Sequence, residues 1–414
     1  MTTLSHRIAL DPTPAQRIAL ARAAGCARVA WNWALAEWKR KYDAGEKPSF
    51  RTVQAAWNAA KHGLFPWLKE SPKDANLTPL LDLATAFRNY FAKRAKYPRF
   101  KSKGRDVPSF GISNDKFRCD GRKVRLPVIG WVNTRQALRF EGRILTGRVT
   151  FTAGRWFLSA AVEADHFRPA APEGSIVGID LGVRTLATLS DGTKIENPRA
   201  LRSAEKRLHR ANLSIARKRR ARDKALGPAK KGERRPIGKN LAKACKRAAR
   251  VHARVASIRS DAIHKATTRI AATWTTVVLE DLHVRGMTRR AKGRGRVAKA
   301  GLNRSILDAG FGEFRRQLAY KLPLHGGTLV VAPRFFASSK LCSACGVKRA
   351  SLSLSERTFA CDSCGYSVDR DRNAAINLCT LGARGTHACG GEVRPGDFGR
   401  RAHPVEAGIV ARTG

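Results

Sequence analysis

Cys342-Ser343-Ala344-Cys345-Gly346 and Cys361-Asp362-Ser363-Cys364-Gly365, with Asp369-Arg370-Asp371-Arg372-Asn373-Ala374-Ala375 close behind, decide how the rest of the chain is read. Each Cys-x-x-Cys pair is closed by a glycine, which turns the backbone tightly at little steric cost. Four thiolates so spaced suit one tetrahedral Zn2+, with Cys342, Cys345, Cys361 and Cys364 as its ligands. The reading is a zinc ribbon over residues 341–365. The segment after it, 366–380, favours helix and carries an acidic residue into the first turn. Two earlier carboxylates, Asp180 and Glu280, each end an apolar run: Ser175-Ile176-Val177-Gly178-Ile179-Asp180 and Thr275-Thr276-Val277-Val278-Leu279-Glu280. Such runs, bounded by turns, read as buried strands. Asp180, Glu280 and Asp371 thus form a candidate metal-binding trio, with the ribbon inserted before its last member.

Working outward, the chain of 414 residues is long enough for two or three packed units. Its formal net charge of +48 and sequence pI near 11.2 exceed what solubility requires and point to a large polyanion as partner. A membrane surface is the competing partner for such charge. No run of about 18 apolar residues, no secretory signal after Met1 and no isolated basic amphipathic anchor supports it, so the expected setting is cytoplasmic. Five cysteines outside the knuckles (Cys26, Cys119, Cys245, Cys379, Cys389) have no framework spacing and read as reduced thiols.

The first half begins with an extended stretch, His6 to Leu10. Asp11-Pro12-Thr13-Pro14-Ala15-Gln16 then predicts a helix start, with Thr13 as cap, Pro14 at the first helical position and Gln16 closing a capping box. Helices are expected over 11–96. Trp33, Trp38, Val53, Trp57, Leu80, Leu83 and Phe87 recur at helical spacing and read as core rather than as base-stacking platforms. After Tyr97-Pro98-Arg99-Phe100-Lys101 the pattern alternates. Val124 to Leu126, Leu138 to Phe140, Arg148 to Phe151 and Trp156 to Leu158 read as strands, with a hairpin at Ala153-Gly154. A small antiparallel β-barrel over 1–10 and 97–167, with the helical block inserted in it, is the economical packing.

A linker from Arg168 to Gly174 leads to residues 168–340. The strand ending in Asp180, a second over Arg184 to Leu189, a turn at Asp191-Gly192 and a third from Thr193 to Glu196 make the opening meander of an RNase H-like α/β fold. The strand ending in Glu280 returns beside the first, and Gly327 to Val331 offers a last strand. Within a helical insertion over 201–272, residues 201–260 hold 21 Lys or Arg against three Asp or Glu. Arg217-Lys218-Arg219-Arg220 and the run from Lys243 to Arg254 look built to lie along phosphates. Val251, Val255, Ile258 and Ala262 mark the apolar face of that helix. Gly227 to Arg235 reads as disordered, Thr288 to Ala300 as a mobile loop, and 381–414 as an unstructured tail.

The chemistry that needs three such acids is phosphodiester hydrolysis. The attacking water and the leaving oxygen both call for charge compensation, which two Mg2+ ions about 4 Å apart supply. Hard cations take oxygen ligands, and Mn2+ suits the same donors as Mg2+. Asp180 is placed to bridge the ions, Glu280 to hold one and Asp371 the other. Asp369 is the rival third ligand. Asp371 is preferred because Asp-x-Asn-Ala-Ala sets it on a helix whose small residues allow close approach to the strands.

On Gly178-Ile179-Asp180-Leu181-Gly182, Leu279-Glu280-Asp281-Leu282, Ser305 to Gly310 with Glu313-Phe314-Arg315, the two knuckles and Asp369 to Asn377, the chain resembles TnpB nearly end to end. TnpB is a transposon-encoded RNA-guided nuclease family related to the type V CRISPR effectors. The resemblance implies a RuvC domain carrying Asp180, Glu280 and Asp371. It implies a wedge barrel with a recognition insertion, and a basic segment at Tyr97 to Lys101 that adds Arg99 and Lys101 to the candidate nucleic-acid contacts, beside Arg217, Lys218, Arg219, Arg220 and Arg254. The implied partners are a guide RNA from the transposon end and target double-stranded DNA entered at a short adjacent motif. Delegating sequence to base pairing fits a protein that grips backbone. Three competing functions are a strand-transferring transposase, a guided DNA-binding regulator without cleavage, and a zinc-ribbon scaffold. No two histidines flank a single apolar residue, as tyrosine-dependent strand transfer asks, and no acid of the trio is missing.

Overall fold

The computed structural model describes residues 2–113, 116–139, 141–164, 176–227, 235–291, 293, 295–353 and 355–383. The expected linker, most of the stretch expected to be disordered (228–234) and the tail beyond 383 lie outside them. The chain forms two compact units, Met1–Phe167 and Arg168–Gly414.

In the first unit, strand β1 (Thr2–Asp11) leads into helix α1 (Pro14–Asp43). The capping box forms as the sequence predicts: Gln16 N donates to Thr13 Oγ1 at 3.3 Å, and Thr13 N donates to Gln16 Oε1 at 3.0 Å. Helix α2 (Phe50–Leu64), a single 3-10 turn (Pro66–Glu70) and helix α3 (Lys73–Phe91) follow. Trp38, Val53, Trp57, Leu80, Leu83 and Phe87 are buried together with Trp33 packed against them, so these aromatics are core. Six more strands complete the unit: β2 (Ser109–Ser113), β3 (Arg118–Asp120), β4 (Lys123–Leu126), β5 (Gly130–Thr134), β6 (Arg143–Thr152) and β7 (Arg155–Ala164).

All seven strands join one sheet in the order β2-β6-β7-β1-β5-β4-β3. Strand β1 pairs with β7 over Thr2 to Ala9 and with β5 through Leu10 and Asp11, so the sheet changes direction along it. Both halves bury side chains in a common core that includes Ile8, Phe110, Val124, Val132, Val149 and Leu158. The expected barrel is not closed by hydrogen bonds. Among the described residues no pairing joins edge strands β2 and β3, because α3 occupies the free edge of β2. Ser113 N donates to Asp74 Oδ2 at 2.8 Å, and Gly111 N donates to Thr78 Oγ1 at 3.2 Å. Covering an edge with a helix removes the unpaired donors that would otherwise recruit another strand. The expected strand at Leu138 does not form; Leu138 instead packs irregularly against the core, and Phe140 lies outside the described residues.

In the second unit, β8 (Ile176–Leu181), β9 (Thr185–Leu189) and β10 (Lys194–Glu196) form the predicted meander. Helices α4 (Ala200–Leu226) and α5 (Lys239–Thr273) precede β11 (Thr276–Glu280). Short helix α6 (Val284–Met287), α7 (Arg296–Ala309), α8 (Phe311–Leu324) and strand β12 (Thr328–Ala332) come next. The ribbon strands β13 (Thr358–Ala360) and β14 (Ser367–Asp369) lead into the last helix, α9 (Arg370–Ala383). The main sheet runs β10-β9-β8-β11-β12, with β8, β11 and β12 parallel.

Two expectations are corrected here. On α5 the buried positions are Val255, Ile263, Ala266 and Ile270, while Ile258 is exposed and Ala262 half-buried. The helix packs along α4 and also on α8, so its buried face rotates along its length. The expected loop from Thr288 to Ala300 gives way to helix at Arg296. Lys299 Nζ donates to Met287 O at 2.7 Å and Asn303 Nδ2 to Thr288 O at 2.8 Å, tying α7 back to the preceding segment.

Candidate active site and metal centre

Strands β8 and β11 pair in parallel with Ile179 opposite Leu279, so the next residues along them, Asp180 and Glu280, leave the same end of the sheet side by side. Helix α9 brings the third acid. It lies directly on β8 and β11, and glycines make the approach possible. A β-carbon on Gly178 would collide with the backbone of Ala375 and Cys379 and stand 2.9 Å from Leu378 Cβ; one on Gly382 would stand 2.5 Å from Val278 Cγ2. With the helix pressed against the sheet, Asp371 in its first turn joins Asp180 and Glu280.

The electrostatics follow from that convergence. Burial, and then the carboxylates of Glu280 and Asp371, raise the pKa of Asp180 to about 8. Like charges gathered in a part-buried site are what a divalent cation relieves, so the donor set fits hard cations. Asp369, the rival ligand, is otherwise engaged. Its Oδ1 accepts from Asp371 N at 2.9 Å and from Arg372 N at 3.1 Å, capping α9, while Oδ2 pairs with Lys194 Nζ at 2.8 Å. Asp281, next to Glu280, is also turned to other work. Burial would raise its pKa, but Arg315 at 2.6 Å and Arg334 at 2.7 Å more than offset that and hold it low.

Sequence reasoning missed a contact to Glu280 itself: Ser338 Oγ, buried in the segment after β12, donates to Glu280 Oε1. It also missed Asn373 and Asn377, both buried on α9. The available signal was a pair of amides four residues apart beside Ala374 and Ala375, since amides on the apolar face of a helix need partners.

The four cysteines come together as spaced. Their sulfurs all lie within 4.8 Å of one another, with Cys345 and Cys361 3.6 Å apart and Cys342 and Cys364 3.7 Å apart. The two knuckles are built alike. Gly346 N donates to Cys342 O at 2.9 Å and Gly365 N to Cys361 O at 3.0 Å, with φ of +77° and +72° at the glycines. Backbone N–H groups of Cys364 and Ser363 lower the pKa of the Cys361 thiol, while the neighbouring sulfurs of Cys345, Cys361 and Cys342 raise that of Cys364. Among the described residues this is the one group of three or more such donors so closely gathered; the carboxylate trio is more widely spread.

The candidate nucleic-acid contacts divide. Arg217, Arg220 and Arg254 are exposed on α4 and α5, with Lys218 and Arg219 half-buried. Lys101 is instead fixed on α1, its ammonium 3.7 Å from the centre of the Trp31 ring and its backbone held at both ends by Asn32. Arg99 pairs with Asp106 at 2.9 Å.

Three family models match the chain: "Probable transposase" over 159–291, "Cas12f1-like, TNB domain" over 311–378 and "Helix-turn-helix domain" over 1–47. The last span is, in the structure, one strand and one long helix. "Putative RNA-guided DNA endonuclease InsQ" of Escherichia coli (strain K12) is 34% identical over 403 residues, covering 95% of both chains. The chain belongs to the TnpB family. Another relative of this family, "Putative RNA-guided DNA endonuclease" of Streptomyces pristinaespiralis, is 36% identical over 398 residues, 93% of this chain and 90% of its own. Among solved structures, CasPhi-2 (Cas12j) bound to crRNA matches 92% of this TnpB-family chain and 98% of its own, at 11% identity and a TM-score of 0.45. Among the described residues no helix is long and apolar enough to cross a membrane.

Proposed function

We propose that this chain is an RNA-guided endonuclease that hydrolyses phosphodiester bonds of target DNA at a RuvC-like site formed by Asp180, Glu280 and Asp371. The observation that carries the reading is the convergence of three carboxylates at one end of a parallel strand pair, where burial, and then the charges of Glu280 and Asp371, raise the pKa of Asp180 to about 8. The names of the two relatives support the guided activity. Asp180, Glu280 and Asp371 would hold the cations, Asp180 as the ligand shared between them, and Asp369 keeps the helix start that presents Asp371. Bound Mg2+ or Mn2+ supplies a nucleophilic water and compensates the leaving oxygen. Cys342, Cys345, Cys361 and Cys364 hold Zn2+ as a structural centre with no open position. The guide is transcribed from the transposon end, and a short adjacent duplex motif admits the target.

The test is to purify the protein from cells that also carry its flanking DNA and to sequence the RNA that accompanies it. One defined RNA ending in sequence external to the element is expected, and a DNA target matching that sequence should be cut only with Mg2+ or Mn2+. Asp180→Ala should retain the RNA and lose cleavage. Bulk cellular RNA without an enriched species, or cutting by Asp180→Ala, would overturn the reading.

A further inference from the structure

The segment between β12 and the first knuckle carries one side chain to Glu280 and is tied down by α9. Ser338 is 2% exposed, and its hydroxyl donates to Glu280 Oε1. That bond engages one oxygen of the carboxylate and restrains its orientation. Ser338 does not hold itself in place. Asn377 Nδ2 donates to Ser338 O at 2.8 Å and to Leu341 O at 2.8 Å; Asn373, one turn earlier, donates to Leu341 O at 2.7 Å and accepts from Ser343 N at 3.0 Å. Leu341 and Ser343 flank Cys342, the first thiol of the ribbon. The same helix carries Asp371 in its first turn.

We propose that Ser338 is a positioning residue for Glu280, and that Asn373 and Asn377 lock the Ser338–Ser343 segment to α9, making the ribbon's first knuckle and the carboxylate site one mechanical assembly. The proposal rests on the reading of Glu280 as a cation ligand. Buried amides are suited to the task because leaving either carbonyl unpaired is costly, so the segment has one arrangement rather than several. Outer hydrogen-bond partners of metal ligands contribute affinity without touching the metal, typically about 10- to 100-fold on mutation. Ser338 has the geometry of such a partner, and Asn377 stands one bond further back.

The experiment uses the full chain with its copurified RNA and reads Mn2+ binding from the paramagnetic resonance signal of free Mn2+, alongside the Mn2+ dependence of target cleavage and the zinc content. For Ser338→Ala, Mn2+ affinity should fall about 10- to 100-fold, with zinc content unchanged and most cleavage recovered at saturating Mn2+. Ser338→Thr, which keeps the hydroxyl, should recover affinity. Asn377→Asp, isosteric but without the two N–H donors, should weaken Mn2+ binding in the same direction, and its effect should largely vanish in the Ser338→Ala background. If Ser338→Ala binds Mn2+ as the parent does while Glu280→Gln does not, the positioning role is wrong and the site reading stands. If Glu280→Gln itself binds and cuts normally, the site reading fails. A lower melting temperature with unchanged Mn2+ affinity in both Ser338→Ala and Asn377→Asp reduces these residues to packing and also overturns the proposal.

Discussion

A methyl group on Gly178 has nowhere to go. It would meet the backbone of Ala375 and Cys379, and helix backbone cannot swing aside as a side-chain tip can. Gly178→Ala is therefore expected to displace α9 from β8. Overpacking costs of about 1–3 kcal/mol are usual, and this substitution should reach the upper end, seen as a lowered melting temperature. Because the displaced helix carries Asp371, cleavage should fall further than stability does. At the same scale, Asp74 is 5% exposed and accepts the Ser113 N–H at the edge of β2. Asp74→Ala strands that donor and should cost about 1–3 kcal/mol, measured by chemical denaturation, whereas Asp74→Asn keeps the acceptor and should be milder. Apolar runs ending in an acid made Asp180 and Glu280 legible in the sequence, and the capping box was legible because its partners are three residues apart. Ser338 was not legible, since a serine among Ala337, Ser339 and Lys340 gives no sign that it will meet a residue 58 positions earlier.

At the scale of elements, the ribbon is the one expected to need a ligand for its order. Its strands β13 and β14 have three residues each, and its buried apolar set is small, with Phe359 at the centre. So small a core cannot offset the entropy of ordering the segment. Removing the metal with a strong chelator, or replacing Cys361 by Ser, should abolish zinc stoichiometry by elemental analysis and expose the amides of 341–365 to rapid hydrogen exchange. The strands of the main sheet should stay protected. The ribbon was readable from spacing alone because metal chemistry constrains spacing. The open order of the first unit's sheet was not, because alternation tells which face of a strand is buried but not what lies at its edge. That answer comes from Asp74 and Thr78 on a distant helix. The rotated face of α5 escaped for a related reason: one helix serves two neighbours, and a single stripe cannot describe both.

For the molecule as a whole, the charge of +48 sets how binding responds to salt. Every phosphate that the protein no longer neutralises should reduce the slope of log affinity against log salt by about 0.7 to 0.9. Replacing Arg217, Lys218, Arg219 and Arg220 together by Ala should therefore flatten the slope for RNA or DNA by up to about 3 to 4, while Lys101→Ala should leave it unchanged and lower the melting temperature instead, its ammonium being stacked on Trp31. Titration by fluorescence anisotropy across a salt series separates the two. The order of ligands along the chain has a further result. Asp180 and Glu280 are made early, but the third carboxylate arrives only after the ribbon, on the last helix described. Chains grow from their N-terminus and fold as they emerge. On the proposed assignment, a nascent or prematurely terminated product can acquire basic helices able to hold nucleic acid well before it can cut any. On that assignment the capacity to cut comes after the capacity to hold nucleic acid, and a copy that stops before α9 would bind without cutting.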